Sequence, residues 1–384
     1  EVLQRIRNSL RNEIEKGKGP VLDQLSQGTD WKVLVRDGDP ASLHTKIAAM
    51  LMAFADTPDM LDQCVHHRLR DASQFVGDKS QESFDRYERT GNVQGSSLLQ
   101  TREAITVATE CLAQKMIADN VRYLEVRCSP CNYTRGGLSA LDVVKTIHAA
   151  LEKHKDKLSF GLIIIGSRHR KMSDIYQHIE LVEEINQSGC DYNIVGFDLA
   201  GAENKRSAAE LQVPFLSLMR ICQRITVHAG ETDDAESIWQ AVHYLNAERI
   251  GHGLTLAEKP ELLQRIVDRR IALEMCPSSN VQIVGYRDWQ IPQTSDLAEY
   301  PIKQYLDKGV RVTVNTDNPG LSRCMPSDEL YRAGCLVKGG LSRLDVLRIV
   351  RNGFRASFAS RDLRSRLLVG ADKEIEKLVQ DETR

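Results

Sequence analysis

The sequence predicts an α/β protein built on a (β/α)8 barrel whose first strand is missing or degenerate, with an extra, mainly helical region ahead of it. From about residue 102 onward, short apolar runs alternate with amphipathic segments long enough to be crossover helices, the pattern of a parallel sheet clad in helices. Seven such runs are present where a closed barrel takes eight. Polar residues follow nearly every run, at the strand ends where a barrel assembles its site.

The strand-like runs are residues 122–126, 161–165, 194–199, 225–227, 249–250, 272–275 and 312–314. Between them, residues 104–117, 142–153, 175–185, 235–245 and 260–269 show helical periodicity. After the last run, residues 327–337, 342–358 and 362–368 read as helices that cover the outside. The first hundred residues differ. Residues 1–16 and 43–54 look helical, 77–97 is polar and rich in turn formers, and 32–35 is a short strand-like run. The expected division is therefore 1–98, helical or irregular, and 99–384, a barrel of strands two to eight with C-terminal helices.

A chain of 384 residues is long for one domain, yet such barrels commonly run to about 250 residues and beyond. Hydrophobic residues at 41% and charged residues at 27% are ordinary for a packed globule and exclude disorder. With 51 basic and 53 acidic residues, net charge −2, no global field favours nucleic acid or an anionic membrane. A small-molecule partner is the expectation. Apolar stretches such as residues 162–166 fall far short of the roughly 20 residues that span a bilayer. No signal peptide is visible, and nine cysteines, an odd number, fit reduced thiols, so a cytoplasmic protein is expected. Any self-assembly into a homo-oligomer would be expected through residues 1–98.

The chemistry lies at the strand ends. The fourth barrel strand ends Asp198-Leu199-Ala200-Gly201-Ala202-Glu203, the fifth Val227-His228-Ala229-Gly230-Glu231 and the sixth Ile250-Gly251-His252-Gly253. The seventh ends Glu274-Met275-Cys276-Pro277-Ser278-Ser279-Asn280, and the eighth Val314-Asn315-Thr316-Asp317-Asn318-Pro319-Gly320. A lone His at a strand end is more often a hydrogen-bonded structural residue than a ligand. Asp317-Asn318-Pro319 alone reads as a turn. His, Glu, His and Asp at successive strand ends are a different matter, because one barrel mouth gathers them.

These blocks, in this order, together with Glu125-Val126-Arg127 and Ser129-Pro130, resemble the signature blocks of the adenosine deaminase family over roughly residues 99–360. The resemblance implies a purine deaminase whose small-molecule substrate carries adenine. His228 and Asp317 would bind a catalytic zinc, and Glu231 would share a proton with purine N1. His252 would serve the attacking water as base or electrostatic partner, Gly201 would offer a backbone contact to the purine edge, and Asn318 would meet N7. Water would add at C6 and ammonia would leave. The residue types suit the task. Zinc brings the pKa of bound water to about 7, and a carboxylic acid kept protonated by burial can activate the ring.

The pattern also departs from the family. Its zinc site needs a His-x-His pair at the end of the first strand, and the ten histidines, at 44, 66, 67, 148, 154, 169, 178, 228, 243 and 252, contain no such pair. Either the pair lies upstream of Glu1, or residues 32–35 form a degenerate first strand and the barrel uses a different metal arrangement, or binds nucleosides or assembles without turnover. Asn318 stands where many members have Asp. Arg127, Arg168, His169 and Arg170, near strand ends, suit a substrate phosphate. Cys128-Ser129-Pro130-Cys131 by itself suggests a redox pair or half a zinc site, but no second Cys-x-x-Cys exists and two ordinary thiols in a strand-end block are the stronger reading.

Overall fold

The computed structural model describes residues 8–13, 16, 42, 80–96 and 98–382. Residues 32–35 and 43–54, most of 1–16, and His44, His66 and His67 lie outside the described residues. Of the expected first helix, residues 8–13 are helical.

Seven strands form one parallel sheet in sequential order: β1 Tyr123–Cys128, β2 Ser159–Ser167, β3 Ile194–Ala200, β4 Ile225–Ala229, β5 Arg249–His252, β6 Ala272–Met275 and β7 Arg311–Val314. Each pairs with the next, for example Val227 with Ile250 and Leu273 with Val312, and the register shifts once, between β2 and β3 at Leu162 and Ile163. Among the described residues β1 and β7 pair with no further strand, so the curled sheet stays open between them. The interior strands are buried on both faces. Leu162, Ile163 and Ile164 are wholly inaccessible, as expected of a sheet with a packed interior and a helical coat.

The helices are α1 Ser80–Gly91, α2 Arg102–Ala118, α3 Ala140–Glu152, α4 Met172–Ser188, α5 Gln212–Arg220, α6 Ala235–Tyr244, α7 Pro260–Asp268, α8 Pro277–Ile283, α9 Ile302–Asp307, α10 Pro319–Ser322, α11 Pro326–Cys335, α12 Arg343–Ala356 and α13 Arg361–Glu382. Local chemistry sets their starts. Ser139 and Asp142 form a capping box on α3, Ser342 and Asp345 do the same on α12, and Asp234 caps α6. Each crossover helix turns an apolar stripe inward, as α6 does with Ile238, Ala241 and Val242.

Several boundaries differ from expectation, and α5, α8, α9 and α10 go beyond the expected helices. β1 begins one residue later and runs on through Cys128. The polar stretch 77–97 contains α1, because Tyr87, on a helix otherwise mostly of polar residues, finds a buried seat against the barrel mouth, where α1 packs on α8. The last helix, α13, runs far past residue 368, its exposed face of charged side chains having masked the periodicity. No helix among the described residues is long and apolar enough to cross a membrane.

Candidate active site

All strands are parallel, so the residues that follow them gather at one end. His228 lies on β4, His252 ends β5, Glu231 follows β4 by two residues, and Asp317 follows β7 by three. The rings of His228 and His252 lie 5.0 Å apart, and His252 Nδ1 is 3.3 Å from the Glu231 carboxyl. Asp317 is close enough for its charge to act on His228, Glu231 and His252. The four side chains therefore share one pocket. His252 and Asp317 both hold left-handed backbone, with φ of 64° and 52°, where the chain turns sharply out of its strand.

Glu231 is buried beside another acid. Burial and then the Asp317 charge push its pKa well above the usual carboxylate range, so the site favours its protonated form. The turn that carries it is fastened by Glu203, whose carboxylate accepts from the backbone N–H groups of Gly230, Glu231 and Thr232 at 2.8, 2.8 and 3.0 Å. Glu203 itself stays ionised. Burial would raise its pKa, but the Arg168 charge and the Thr232 and Glu231 backbone donors bring it below the ordinary value.

The tautomer of His252 follows from Asn280. The Asn280 amide oxygen accepts from Tyr300 Oη at 2.8 Å and from the Cys276 backbone N–H at 3.2 Å, which fixes its amide nitrogen as the group facing His252 Nδ1 at 2.9 Å. Nδ1 therefore accepts, and the ring proton sits on Nε2. Burial, reinforced by the nearby His228, lowers the His252 pKa to about 4, so the ring is neutral at pH 7.

His228 has the opposite character. Its Nδ1 lies 3.0 Å from Asp198, and although burial disfavours the imidazolium, the Asp198 charge and hydrogen bond raise the pKa to about 9. Asp198 continues to Arg127 at 2.9 Å, Arg127 to Glu274 at 2.5 Å, Glu274 to Arg249 at 2.8 Å, and Arg249 to Glu125 at 2.7 Å. This row of alternating charge runs inside the barrel. Burial penalises Asp198 and Glu274, yet their charged partners hold both near a pKa of about 2.

Gly201 and Asn318 lie at the same mouth. Gly201 follows β3 with a φ of +91°, and a Cβ there would sit 2.4 Å from His169 Nδ1. Gly201→Ala is expected to destabilise the chain by about 1–3 kcal/mol, the usual range for overpacking. Urea unfolding monitored by fluorescence measures it, and an unchanged midpoint would show that His169 moves aside freely. Asn318 donates to Tyr87 Oη at 3.2 Å, and the Tyr87 hydroxyl donates to Asp317 at 3.2 Å. α1 thus supplies a site residue that sequence reasoning missed. A single tyrosine in a polar, turn-like stretch gave no signal.

One further expectation changes. Arg127 is engaged by Asp198 and Glu274, and Arg168 donates to the carbonyls of His228 and Arg206, so neither guanidinium faces a substrate phosphate. His169 pairs with Glu88 of α1 at 3.0 Å. Cys128 and Cys131 are unbridged, and burial keeps both thiols protonated, with pKa values raised to about 12 and about 11.

The donor chemistry of His228 and Asp317 suits a divalent metal, since Asp198 occupies Nδ1 and leaves Nε2 as the coordinating nitrogen. The number does not. Among the described residues no group of three or more His, Cys, Asp or Glu side chains is placed to hold a metal ion, whereas a catalytic zinc takes three protein ligands.

The family profile described as adenosine deaminase matches residues 63–374. The chain belongs to the adenosine deaminase family. An adenosine deaminase of Clostridium acetobutylicum is 31% identical over 277 residues, 72% of this chain and 78% of its own length. Among solved structures, an amidohydrolase of Burkholderia ambifaria with bound zinc superposes with a TM-score of 0.68 at 19% identity, covering 84% of this chain and 88% of its own. The N6-methyl-AMP deaminase of Arabidopsis thaliana gives 0.62 at 20% identity, with 85% and 90% covered. At these identities the two structures bear on the fold alone, which is the barrel shared with this chain. The family match also reaches upstream of residue 99, so it takes in α1.

Proposed function

We propose that this chain hydrolyses the exocyclic amino group of an adenine-containing nucleoside or nucleotide, releasing ammonia. The observation that carries the reading is a buried Glu231, its pKa pushed up toward the protonated form, beside a neutral His252 at the mouth of a barrel that belongs to this family. An aromatic amidine carbon resists water until the adjacent ring nitrogen is protonated, and Glu231 holds the proton for that step.

The residues divide the work as follows. Glu231 gives its proton to N1 as the water oxygen bonds to C6. The carboxylate then takes a proton from the added water and passes it to the amino group. The C6–N bond breaks, ammonia leaves, and the remaining hydroxyl proton returns to Glu231 as C6=O forms. His252, with its proton on Nε2, orients the attacking oxygen as a donor; the alternative role of base, left open by the sequence, requires the other tautomer. Gly201 and Asn318 would hold the purine edge. A zinc ion carried by His228 and Asp317, with donors from outside the described residues, would make hydroxide available near neutral pH. The reading keeps a small purine as partner, a cytoplasmic setting, the division at residue 98, and self-assembly through residues 1–98 as expectations.

Release of ammonia from adenosine, AMP and adenine, and of methylamine from N6-methyl-AMP, with metal content measured on the same sample, tests this. Turnover on at least one is expected. A folded, metal-loaded chain that releases neither ammonia nor methylamine from any of them would favour the second reading, a purine-binding barrel without turnover, which the shortage of metal donors among the described residues supports.

A further inference from the structure

The opposite end of the barrel carries its own chemistry. Arg249 begins β5, Ala272 begins β6 and Arg311 begins β7, so a cavity of about 230 Å³ lined by these residues lies at the strand starts, away from Glu231 and His252. Arg269, Arg270 and Arg355 also line it. A second hollow of about 930 Å³ shares Arg270, Arg311 and Arg355 with it and extends between α12 and α13 along Leu344, Leu347 and Leu368. Among the described residues nine different arginines line the two, against the single carboxylate of Glu248.

An ordinary solvated face mixes both signs, as the even overall balance of 51 basic and 53 acidic residues would provide. Here the compensation is local and incomplete. Glu248 is taken by Arg224, which it grips with contacts of 2.8 to 3.3 Å, and Asp372 by Arg351 at 2.5 Å. No side-chain hydrogen bond or ion pair within the described residues engages Arg269, Arg270, Arg311 or Arg355. Arg249, 4% exposed, has an Nη2 with no hydrogen-bond partner among those residues. The half-buried Arg311 feels desolvation and the repulsion of Arg355, Arg270 and Arg364, both of which lower its pKa. An anion with several oxygens relieves the repulsion and accepts from several guanidinium forks at once.

We propose that this arginine-lined cavity at the N-terminal end of the barrel binds a multiply charged phosphate group, free or as the phosphate chain of a nucleotide. The leucine-lined extension is where a nucleoside would lie. The site is independent of the deaminase reading, because none of its lining residues belongs to the active-site pocket.

Isothermal titration calorimetry on the full chain, with inorganic pyrophosphate and, separately, cytidine triphosphate, tests it. The pyrimidine nucleotide avoids recognition of adenine at the opposite mouth. One pyrophosphate per chain is expected, with affinity falling as salt rises. The double variant Arg270→Gln/Arg355→Gln, which changes two exposed side chains and is expected to keep the parent melting temperature, should weaken binding tenfold or more, about 1.4 kcal/mol. Cytidine triphosphate binding more tightly than pyrophosphate identifies a nucleotide as the ligand, and equal affinity identifies the phosphate alone. Absence of binding near physiological salt, or binding that the double variant leaves intact, would overturn the proposal.

Discussion

Replacing Glu231 by Gln is expected to lower turnover by about 10⁴-fold or more while substrate binding stays within a few fold. Proton transfer by a positioned side chain contributes roughly 10²–10⁴-fold, and Glu231 serves four transfers in the proposed sequence, so the loss belongs at the upper end. Gln keeps the volume and a hydrogen-bonding group. Its amide lacks a proton that can be surrendered to N1 and cannot collect one from the added water. The structure also predicts that the fold tolerates the change. Burial already disfavours the charged form of Glu231, so Gln removes little charge compensation, and the turn is held by the Glu203 carboxylate through backbone donors that Gln retains. The measurement is ammonia release under saturating substrate, together with the dissociation constant of a non-reactive purine. A variant within tenfold of the parent, about 1.4 kcal/mol in barrier height, would show that Glu231 is not the shuttle.

How much of this was legible depends on which forces write themselves into local sequence. Parallel strands buried on both faces need continuous aliphatic runs, so Leu162 to Ile165 and Ile194 to Leu199 announced themselves, as did the polar residues that interrupt such runs at His228, His252 and Asp317. Partnerships across the barrel leave no such mark. Glu125 and Arg127 read as ordinary residues of a strand, and nothing in their spacing says that Arg127 joins Asp198, 71 positions on, to Glu274. The same blindness assigned Arg127 and Arg168 to a substrate phosphate, since exposure rather than proximity to a strand end decides whether a guanidinium is available. α1 was illegible for another reason. Its polar composition favours turns when taken alone, and the helix is placed by one tertiary contact set, Tyr87 with Asp317 and Asn318 and Glu88 with His169. The tautomer of His252 likewise rests on Asn280, Tyr300 and Cys276, which come together only in the fold.

The row of buried charges predicts the largest effect on stability. Arg127→Met is expected to destabilise the chain by about 3–5 kcal/mol, the cost typical of removing one member of a buried ion pair. Methionine fills much of the guanidinium's volume, so the loss is chiefly electrostatic. Asp198 and Glu274 would each lose a partner 2.9 or 2.5 Å away, while Glu274 keeps Arg249 and Asp198 keeps His228. The sign of the pH dependence follows. In the parent both carboxylates titrate near pH 2, below their unfolded values of about 4, so their contribution is present above pH 4 and is lost as pH falls toward 2. Without Arg127 the burial penalty is less opposed and both folded-state values rise. The advantage that ionised carboxylates give the folded state shrinks at neutral pH, and acid unfolding begins at a higher pH than in the parent. Urea unfolding at pH 7 and at pH 4.5 measures both effects, with the gap between parent and variant expected to narrow at the lower pH as protonation relieves the unpaired carboxylates. A gap that widens on acidification, or a variant as stable as the parent at pH 7, would mean that the row is solvated and that Arg127 contributes no charge compensation to the barrel interior.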